Sequence, residues 1–420
     1  MIQETVNPEL FKWNRRRFAR EMREESVAVF CSNDLVSSNG ETHRRFRQNP
    51  DLYYLTGVTQ PETVLVLAPG TARQGFEEVL FIRRPDQRSA VRRGPGLDVQ
   101  QAAQISGIAQ VCFVDELDEV LHDLILIASR VYVNSREDRL AYSEAPAADL
   151  RFAERLMRLY PAHKYHRAQP ILKKIGMVKS APEVGLIAKA IDLAHGGLLA
   201  AAREVRPGRV EHELEAAALA SVVGGGAQGV AHPVRVASGA QTLYPDYDRN
   251  AGTLEEGEVV QLQVGVVYAG YHASLSRVIP VSGQFSAAQA RVYEQLHALS
   301  RASIEALVPG ATLPECEEAM RERLYRACDQ LDTGQAEIGR HFPSAVYSHV
   351  GRNLRDPYQP YAPLQSGMVF AVEPALYLPG EGFGMQLRDI VLVTDEGPVP
   401  LTGAVPTAMT DIEHIVGVLA

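Results

Sequence analysis

The segment from Val259 to Pro280 constrains the fold more than any other part of this chain. Apolar residues alternate along its first half with Gln261 and Gln263, which is the two-residue period of a β-strand with one apolar face. Gly270 then provides a turn before a second apolar run. We therefore predict a long antiparallel hairpin whose second face is polar.

Helices are predicted on both sides of this hairpin. Before it, Ser180-Ala-Pro-Glu183 has the spacing of a capping box with proline in the tolerated first turn, and apolar residues then recur at helical spacing. After it come two predicted helices and two further strand segments, Met368–Tyr377 and Gln386–Thr394. This succession indicates an α+β domain, which we place at residues 169–420.

The first 168 residues follow a different plan, in which short apolar strands alternate with helices. The predicted strands are Val27–Cys31, Leu52–Thr56, Thr63–Ala68, Val79–Ile82, Gln110–Val114 and Arg130–Asn134. Such alternation predicts a mostly parallel, helix-covered sheet, and therefore an α/β domain over residues 1–168. The pattern loosens around Tyr160–Pro170, where we place the domain boundary.

Composition narrows the class of protein. The net charge of this 420-residue chain is −9 and its basic runs are short, which argues against nucleic-acid binding. The four cysteines form no CxxC pair and no Cys/His metal spacing, and no uninterrupted apolar run reaches the ~18 residues of a membrane helix. The N-terminus lacks the pattern of a signal peptide. We expect a cytoplasmic protein that binds neither nucleic acid nor a membrane.

The sequence contains none of the common short motifs for phosphate binding, zinc binding or a nucleophilic serine. Gly224-Gly-Gly226 is not followed by the Gly-Lys-Ser/Thr of a phosphate-binding loop, and His212-Glu213 lacks a second histidine because residue 216 is alanine. No Gly-x-Ser-x-Gly elbow occurs in the sequence.

A family resemblance is more informative. The segments FRQNPDLYYLTG (46–57) and PETVLVL (61–67) closely resemble the N-terminal signature of the aminopeptidase P family. KSAPE (179–183), residues 265–277 and VEPALY (372–377) resemble later parts of the same family in the same order. The resemblance implies a two-domain α+β protein: an N-terminal α/β domain of the creatinase/aminopeptidase P type and a C-terminal pita-bread domain of the M24 type. It also implies a homodimer or homotetramer.

The resemblance carries a specific expectation about metal ions. Active members of the family hydrolyse the bond between a first residue and proline, and hold two Mn, Co or Zn ions with two aspartates, a histidine and two glutamates. Matching the motifs position by position places Gln263 and Ser274 at the aspartates, Ser348 at the histidine, and Glu373 and Arg388 at the glutamates. Four of the five ligands would then be replaced, and we predict that this chain has no metal cofactor.

Other pocket positions differ from the family pattern as well. Asp246 matches a proton-shuttle histidine, Arg355 a second histidine and Gln386 an arginine, whereas Tyr377 is expected to remain in the pocket. A polar and basic lining of this kind favours anions or carboxylates over metals.

The structure at the metal position is open to three interpretations. Arg388 either forms a bidentate ion pair with Glu373 or turns towards solvent, and the ion pair is favoured because an unpaired buried carboxylate is costly. A thin mononuclear site of His272, Asp246 and Glu373 is the third. His349 is expected to point away from the pocket, since neighbouring strand residues face opposite sides.

These expectations favour a catalytically inactive pseudopeptidase that binds a peptide, a small ligand or a protein. Two alternatives are enzymes: a metal-independent C–N hydrolase resembling creatinase, and a residual Xaa-Pro aminopeptidase with an atypical site. Binding of a divalent metal and cleavage of Xaa-Pro peptides distinguish them.

Overall fold

A computed structural model describes residues 6–40, 42–86, 90–92, 94–135, 147–331 and 346–417. The chain divides into two compact units between Gly176 and Met177. The sequence places the boundary at residues 168/169, whereas the division falls at the end of the helix Gln169–Met177. Leu172 and Ile175 of that helix pack into the core of the N-terminal unit, which is why the helix belongs to it.

The N-terminal unit is built on a six-stranded sheet of order β6-β5-β4-β1-β7-β8, and β2 pairs separately with β3. The strands are β1 (Ser26–Cys31), β2 (Ser37–Asn39), β3 (Thr42–His43), β4 (Val64–Leu67), β5 (Glu78–Ile82), β6 (Gln110–Phe113), β7 (Arg130–Val133) and β8 (Lys164–Arg167). Within the six-stranded sheet β4 runs antiparallel to both neighbours and the other pairs are parallel. The predicted mostly parallel sheet is therefore confirmed.

Helices cover both faces of this sheet. They are α1 (Pro8–Glu21), α2 (Pro50–Thr56), α3 (Val99–Ser106), α4 (Leu117–Leu126), α5 (Ala148–Leu159) and α6 (Gln169–Met177). Phe30 of β1 lies in a core shared with α1, α2 and α6, whereas its neighbour Val29 lies in a second core shared with α4 and α5. Burial on both faces explains why these strands read as continuous apolar runs.

Residues 50–56 form a helix, so the predicted strand Leu52–Thr56 is wrong. Asn49 caps this helix by accepting a hydrogen bond from a backbone N–H at 2.9 Å, and Pro50 occupies its first turn. Gly57 ends it in the left-handed conformation (φ 71°), where a Cβ atom would lie 2.3 Å from the ring of Phe11. The apolar run that suggested a strand instead buries all sides of a short helix.

The C-terminal unit has the predicted α+β composition. Its helices are α7 (Ala181–Ala202), α8 (Glu211–Gly224), α9 (Ala287–Glu305), α10 (Leu313–Gln330) and α11 (Met409–Gly417). Its strands are β9 (Gly229–Val230), β10 (Arg235–Ser238), β11 (Val259–Tyr268), β12 (Tyr271–Pro280), β13 (Tyr347–His349), β14 (Val369–Val372), β15 (Ala375–Leu378), β16 (Phe383–Gln386), β17 (Asp389–Thr394) and β18 (Gly397–Pro400). One sheet has the order β10-β11-β12 with β9 beside β11, a second has the order β13-β14-β17-β18, and β15 pairs with β16.

Strands β11 and β12 form the predicted long hairpin, paired from Val259↔Pro280 to Tyr268↔Tyr271. One face is apolar apart from the buried Arg277 and packs against α7, where a Cβ atom on Gly197 would lie 3.2 Å from the side chain of Val264. Residues directly opposite in an antiparallel pair share a face. The middle of the other face therefore carries small and polar residues, namely Gln261, Gln263, Gly265, Ser274 and Ser276, whereas Val278 lies opposite Gln261.

Helix α7 is long and apolar enough to cross a membrane by length and composition, and among the described residues no other helix is. It begins at the predicted capping box, where Glu183 accepts hydrogen bonds from the backbone N–H and the hydroxyl of Ser180, both at 2.8 Å. Ile187, Ile191 and Leu198 are buried within the C-terminal unit. A core helix of this kind has the same composition as a membrane span.

Candidate functional site

The five positions matched to metal ligands come together on the polar face of the hairpin. Gln263 lies on β11, Ser274 on β12 and Ser348 on β13, while Glu373 directly follows β14 and Arg388 directly precedes β17. All five residues are buried. Strands of both sheets therefore supply this site.

The backbone beside Arg388 is fixed to the hairpin. Ser276 and Arg388 exchange two backbone hydrogen bonds, of 3.4 and 3.2 Å. The fully buried guanidinium of Arg277 donates to the carbonyl of Arg388 at 3.0 Å and to the carboxylate of Asp389 at 2.6 Å. These contacts place the Arg388 side chain independently of what that side chain binds.

Arg388 and Glu373 form an ion pair, as predicted. Nη2 of Arg388 lies 3.1 Å from Oε1 of Glu373, and both side chains are less than a tenth exposed. The hydroxyl of Ser348 donates to the same oxygen at 2.6 Å. The predicted bidentate geometry is wrong, because Nη1 donates to Oγ of Ser274 at 3.3 Å instead. The alternative in which Arg388 turns to solvent is contradicted by its burial.

Neighbouring charges act on this ion pair. Burial lowers the pKa of Arg388, Glu373 opposes that effect, and Arg355 and Arg235 lower the pKa further. Arg355 is exposed and influences the site through its charge. Because desolvation of a buried pair is expensive, the hydrogen bond that Ser348 donates to Glu373 and the one that Ser274 accepts from Arg388 are part of what stabilises it.

His232 is a site residue that the sequence analysis missed. Its Nδ1 lies 2.6 Å from the carbonyl of Pro233 and must donate to it, so Nε2 accepts the hydroxyl proton of Ser274 at 2.9 Å. Burial, with the charges of Arg388 and Arg235, lowers the pKa of His232 from 6.5 to about 4. The imidazole is therefore neutral near pH 7 and completes the hydrogen bonds of Ser274.

Arg235 is a second missed residue. It donates from Nη1 to Oε1 of Gln263 at 3.2 Å, and its Nη2 lies 2.9 Å from Oδ1 of Asp246. Asp246 is 88% exposed in its side chain, so it contacts the site from the solvent side. The alternation of Val234 and Val236 with Arg235 is the sequence signal that could have identified this strand and its polar side chain.

Tyr377 and Gln386 line a small cavity beside Arg235. Arg235, Gln263 and Tyr244 contribute to its walls, and about 20 Å³ is accessible inside it, which is room for one water molecule. Burial raises the pKa of the Tyr377 hydroxyl, which therefore remains protonated. The side chain of Gln261 holds the backbone of Gln386 in place. Its Oε1 accepts from the N–H of Gln386 at 2.7 Å, and its Nε2 donates to the carbonyl of Gln386 at 3.0 Å.

The residues present do not fit a pair of divalent metal ions. Among the five positions Glu373 supplies the sole carboxylate, and a guanidinium cannot be a ligand. Within the part of the chain that the structure describes, no group of three or more His, Cys, Asp or Glu side chains is arranged to hold a metal. His272, Asp246 and Glu373 therefore do not form the mononuclear alternative.

His349 lies on the opposite side of β13 from the site, as predicted. Its Nδ1 is 3.0 Å from Nζ of Lys179, which in turn lies 3.3 Å from the carboxylate of Asp356. All three side chains are buried. Burial would raise the pKa of Asp356, yet that pKa is below its usual value because Lys179 and Arg352 outweigh burial. This cluster lies within the C-terminal unit, on the side of β13 that faces away from the candidate site.

Two family models match the chain. One, described as metallopeptidase family M24, matches residues 185–395, and the other, described as the aminopeptidase P N-terminal domain, matches residues 11–132. The order of the two matches agrees with the predicted two-domain organisation.

Curated relatives match over almost the whole chain. The chain is 26% identical to a Xaa-Pro aminopeptidase of Haemophilus influenzae, with 97% of each chain covered. It is 24% identical to a Xaa-Pro dipeptidase of Pyrococcus horikoshii, with 84% of this chain and 91% of the relative covered.

Solved structures confirm the predicted fold. Aminopeptidase PepP of Pseudomonas aeruginosa superposes with a TM-score of 0.89 at 24% identity, covering 100% of this chain and 99% of that one. Aminopeptidase P from E. coli with the inhibitor Pro-Leu superposes with a TM-score of 0.87 at 22% identity, covering 99% of each chain.

Proposed function

We propose that this chain, which belongs to metallopeptidase family M24 and has the two-domain aminopeptidase P architecture, works without metal ions as a catalytically inactive binding protein. The observation that carries the proposal is the buried ion pair between Arg388 and Glu373. The guanidinium supplies next to Glu373 the positive charge that metal ions supply in active members of the family. No metal-bound hydroxide is then formed to attack a peptide bond.

The ion pair also opposes recruitment of a metal. A divalent ion at Glu373 would have to displace Arg388, which would leave a buried guanidinium without a counter-charge. Gln263 and Ser274 would contribute neutral oxygens in place of carboxylates, and Ser348 a neutral oxygen in place of an imidazole. Neutral oxygens do not balance the charge of two closely spaced ions. The site therefore favours retention of the arginine.

Metal content is the first test of this proposal. The purified chain is incubated with Mn²⁺, Co²⁺ or Zn²⁺, desalted and analysed for metal, and is assayed in parallel for hydrolysis of Xaa-Pro peptides. We expect less than about 0.1 metal per chain and no hydrolysis above background. One or two metals per chain, or hydrolysis that a chelator abolishes, would overturn the proposal.

Restoring the ligands tests the assignment of positions. The variant Gln263→Asp/Ser274→Asp/Ser348→His/Arg388→Glu should bind metal, because it gives Glu373 three further carboxylates and an imidazole. The matched control is the triple variant that retains Arg388. It should bind much less metal, because the guanidinium of Arg388 is still paired with the carboxylate of Glu373. A folded quadruple variant that gains no metal would show that these positions are not the ligand positions.

A metal-independent hydrolase is the second candidate function. It is favoured by one observation: Nε2 of His232 lies 2.9 Å from Oγ of Ser274, and a backbone carbonyl holds Nδ1, which is the arrangement of a nucleophile with an oriented base. It ranks second because a pKa of about 4 makes His232 a weak base and because Ser274 is buried. Hydrolysis of C–N or ester substrates that Ser274→Ala abolishes would favour it, and equal rates would exclude it.

A further inference from the structure

Arg235 holds an unused hydrogen-bond donor beside its partner carboxylate. Its Nη1 is committed to Gln263 at 3.2 Å and to the carbonyl of Pro245 at 3.4 Å, which together fix the plane of the guanidinium. Nη2 contacts one oxygen of Asp246, whereas Nε is buried and has no hydrogen-bond partner among the described residues. Nε and Nη2 are the parallel pair of donors that a carboxylate binds in bidentate fashion.

We infer that Arg235 is a carboxylate-binding residue, and that Asp246 occupies its position until the carboxylate of a ligand displaces it. This inference rests on the proposed function, because it takes the cavity beside Arg235 for the binding pocket. The ligand class is a small molecule with a free carboxylate, either the C-terminus of a short peptide or an organic acid.

Asp246 is suited to exchange because little holds it in place. Its side chain is 88% exposed, whereas that of Arg235 is 25% exposed. An exposed carboxylate recovers its full hydration when it leaves, and exposed ion pairs contribute little net stability. The arginine remains anchored by Gln263 after Asp246 departs, so the binding group is already in position.

The other charges nearby are committed elsewhere. Glu373 is held by Arg388 and Ser348. When Asp246 leaves, Arg235 therefore becomes a cation without a counter-charge, and this attracts an anionic group into the cavity.

The cavity beside Arg235 is too small to admit a ligand unless the loop of residues 244–246 moves. About 20 Å³ is accessible in the cavity, far less than a dipeptide needs, and Tyr244 and Pro245 of the loop that leads to Asp246 form part of its wall. Tyr244 is 63% exposed and belongs to the same loop. The loop is anchored after Asp246 by the hydroxyl of Tyr247, which donates to Glu211 at 2.8 Å. Movement of residues 244–246 about this anchor would enlarge the cavity next to Tyr377.

Calorimetric titration of the full chain in the presence of a chelator tests the inference. The probes are Pro-Leu, its C-terminal amide and 3-phenylpropionate. We expect the amide to bind at least about tenfold more weakly than Pro-Leu, because it cannot form the charge-assisted pair. Arg235→Gln should lower the affinity for Pro-Leu by about tenfold or more. Asp246→Asn should raise that affinity about two- to fivefold, because it removes the competing carboxylate.

Matched variants and the choice of probe make the outcome decisive. Asp248→Asn, an exposed aspartate of the same loop, should leave affinity unchanged. Arg235→Lys keeps the positive charge and replaces Arg235→Gln in the experiment if the latter does not fold. Its affinity for Pro-Leu should lie between those of wild type and Arg235→Gln. Tighter binding of Pro-Leu than of 3-phenylpropionate assigns a peptide carboxylate, the reverse assigns an organic acid, and either supports the inference.

Three results would overturn the inference: equal affinity for Pro-Leu and its amide, unchanged affinity in Arg235→Gln, or no carboxylate binding by wild type and Asp246→Asn up to ~10 mM. Since these titrations are done without metal, they are independent of the metal analysis. If the chain binds metal, the proposed function is refuted. If the chain is metal-free but binds none of the carboxylate probes, only the role of Arg235 is refuted.

Discussion

His232 lies directly over Gly265, so closely that a Cβ atom at position 265 would be 2.6 Å from Nε2 of the imidazole. Gly265 faces the site from β11 opposite Ser274, to which the same imidazole is hydrogen-bonded. The absence of a side chain at 265 is therefore what lets a histidine from the preceding loop reach the hairpin.

Gly265→Ala should displace His232 and destabilise the C-terminal unit. Overpacking of this kind typically costs about 1–3 kcal/mol in the free energy of unfolding, measured by urea or thermal denaturation. The control is Gly185→Ala in helix α7, where an added Cβ meets no atom within 4 Å and should be neutral or stabilising. Equal stability of the two variants would contradict the close packing of His232.

Glu373→Gln should be strongly destabilising, because it leaves Arg388 buried without a counter-charge. Breaking a buried ion pair from one side typically costs about 3–5 kcal/mol, whereas Glu318→Gln, in an exposed pair with Arg321, should cost less than about 1 kcal/mol. Adding Arg388→Met to Glu373→Gln should recover part of the loss. A double variant no more stable than the single one would argue against a net interaction between the two charges.

Lowering the pH should destabilise the chain partly through His232. Its pKa is about 4 in the folded protein against 6.5 ordinarily, so the unfolded state binds more protons between those values. The contribution of His232 is therefore complete above about pH 6.5 and is lost as the pH falls towards 4. His232→Gln keeps an acceptor for Ser274 but cannot titrate, so its free energy of unfolding should depend less steeply on pH in this window.

The exposed His212 provides the control for that measurement. His212→Gln should reproduce the wild-type slope of unfolding free energy against pH. If His232→Gln and His212→Gln give the same slope, His232 is not held in its neutral form by the fold.

Lys179→Met should destabilise the C-terminal unit by about 3–5 kcal/mol, because Asp356 would remain buried without its lysine. Arg321→Met removes a cation from an exposed pair of the same unit and should change stability by less than about 1 kcal/mol. Comparable losses, measured by thermal denaturation, would mean that the buried cluster contributes no more than a surface pair.

The ion pair could be predicted because the family resemblance places Glu373 and Arg388 at the metal position, where charge balance favours their pairing. A buried glutamate matched to a metal site, with an arginine at a second ligand position, leaves few ways to neutralise the carboxylate. Its geometry could not be predicted in the same way. Whether Arg388 gives both amino groups to Glu373 or shares one with Ser274 depends on sub-ångström placement of two strands.

His232 and the helix at residues 50–56 show what sequence patterns leave out. His232 belongs to a loop, and its role depends on the space above Gly265, which appears only when the hairpin is folded. The helix has the apolar residues of a strand, and what distinguishes it is the capping by Asn49 and Gly57 together with burial on all sides. Periodicity could not separate these two structures for so short a segment.

Arg277 and Ser276 hold position 388 by its main chain, through contacts to the carbonyl and N–H that every residue other than proline would make. The side chain at 388 is thus delivered to the same point whatever its chemistry. A replacement there changes the charge of the site in one step and leaves the route of the backbone intact. A scaffold with this property can pass from a catalyst to a receptor, or back again, through the replacement of side chains alone.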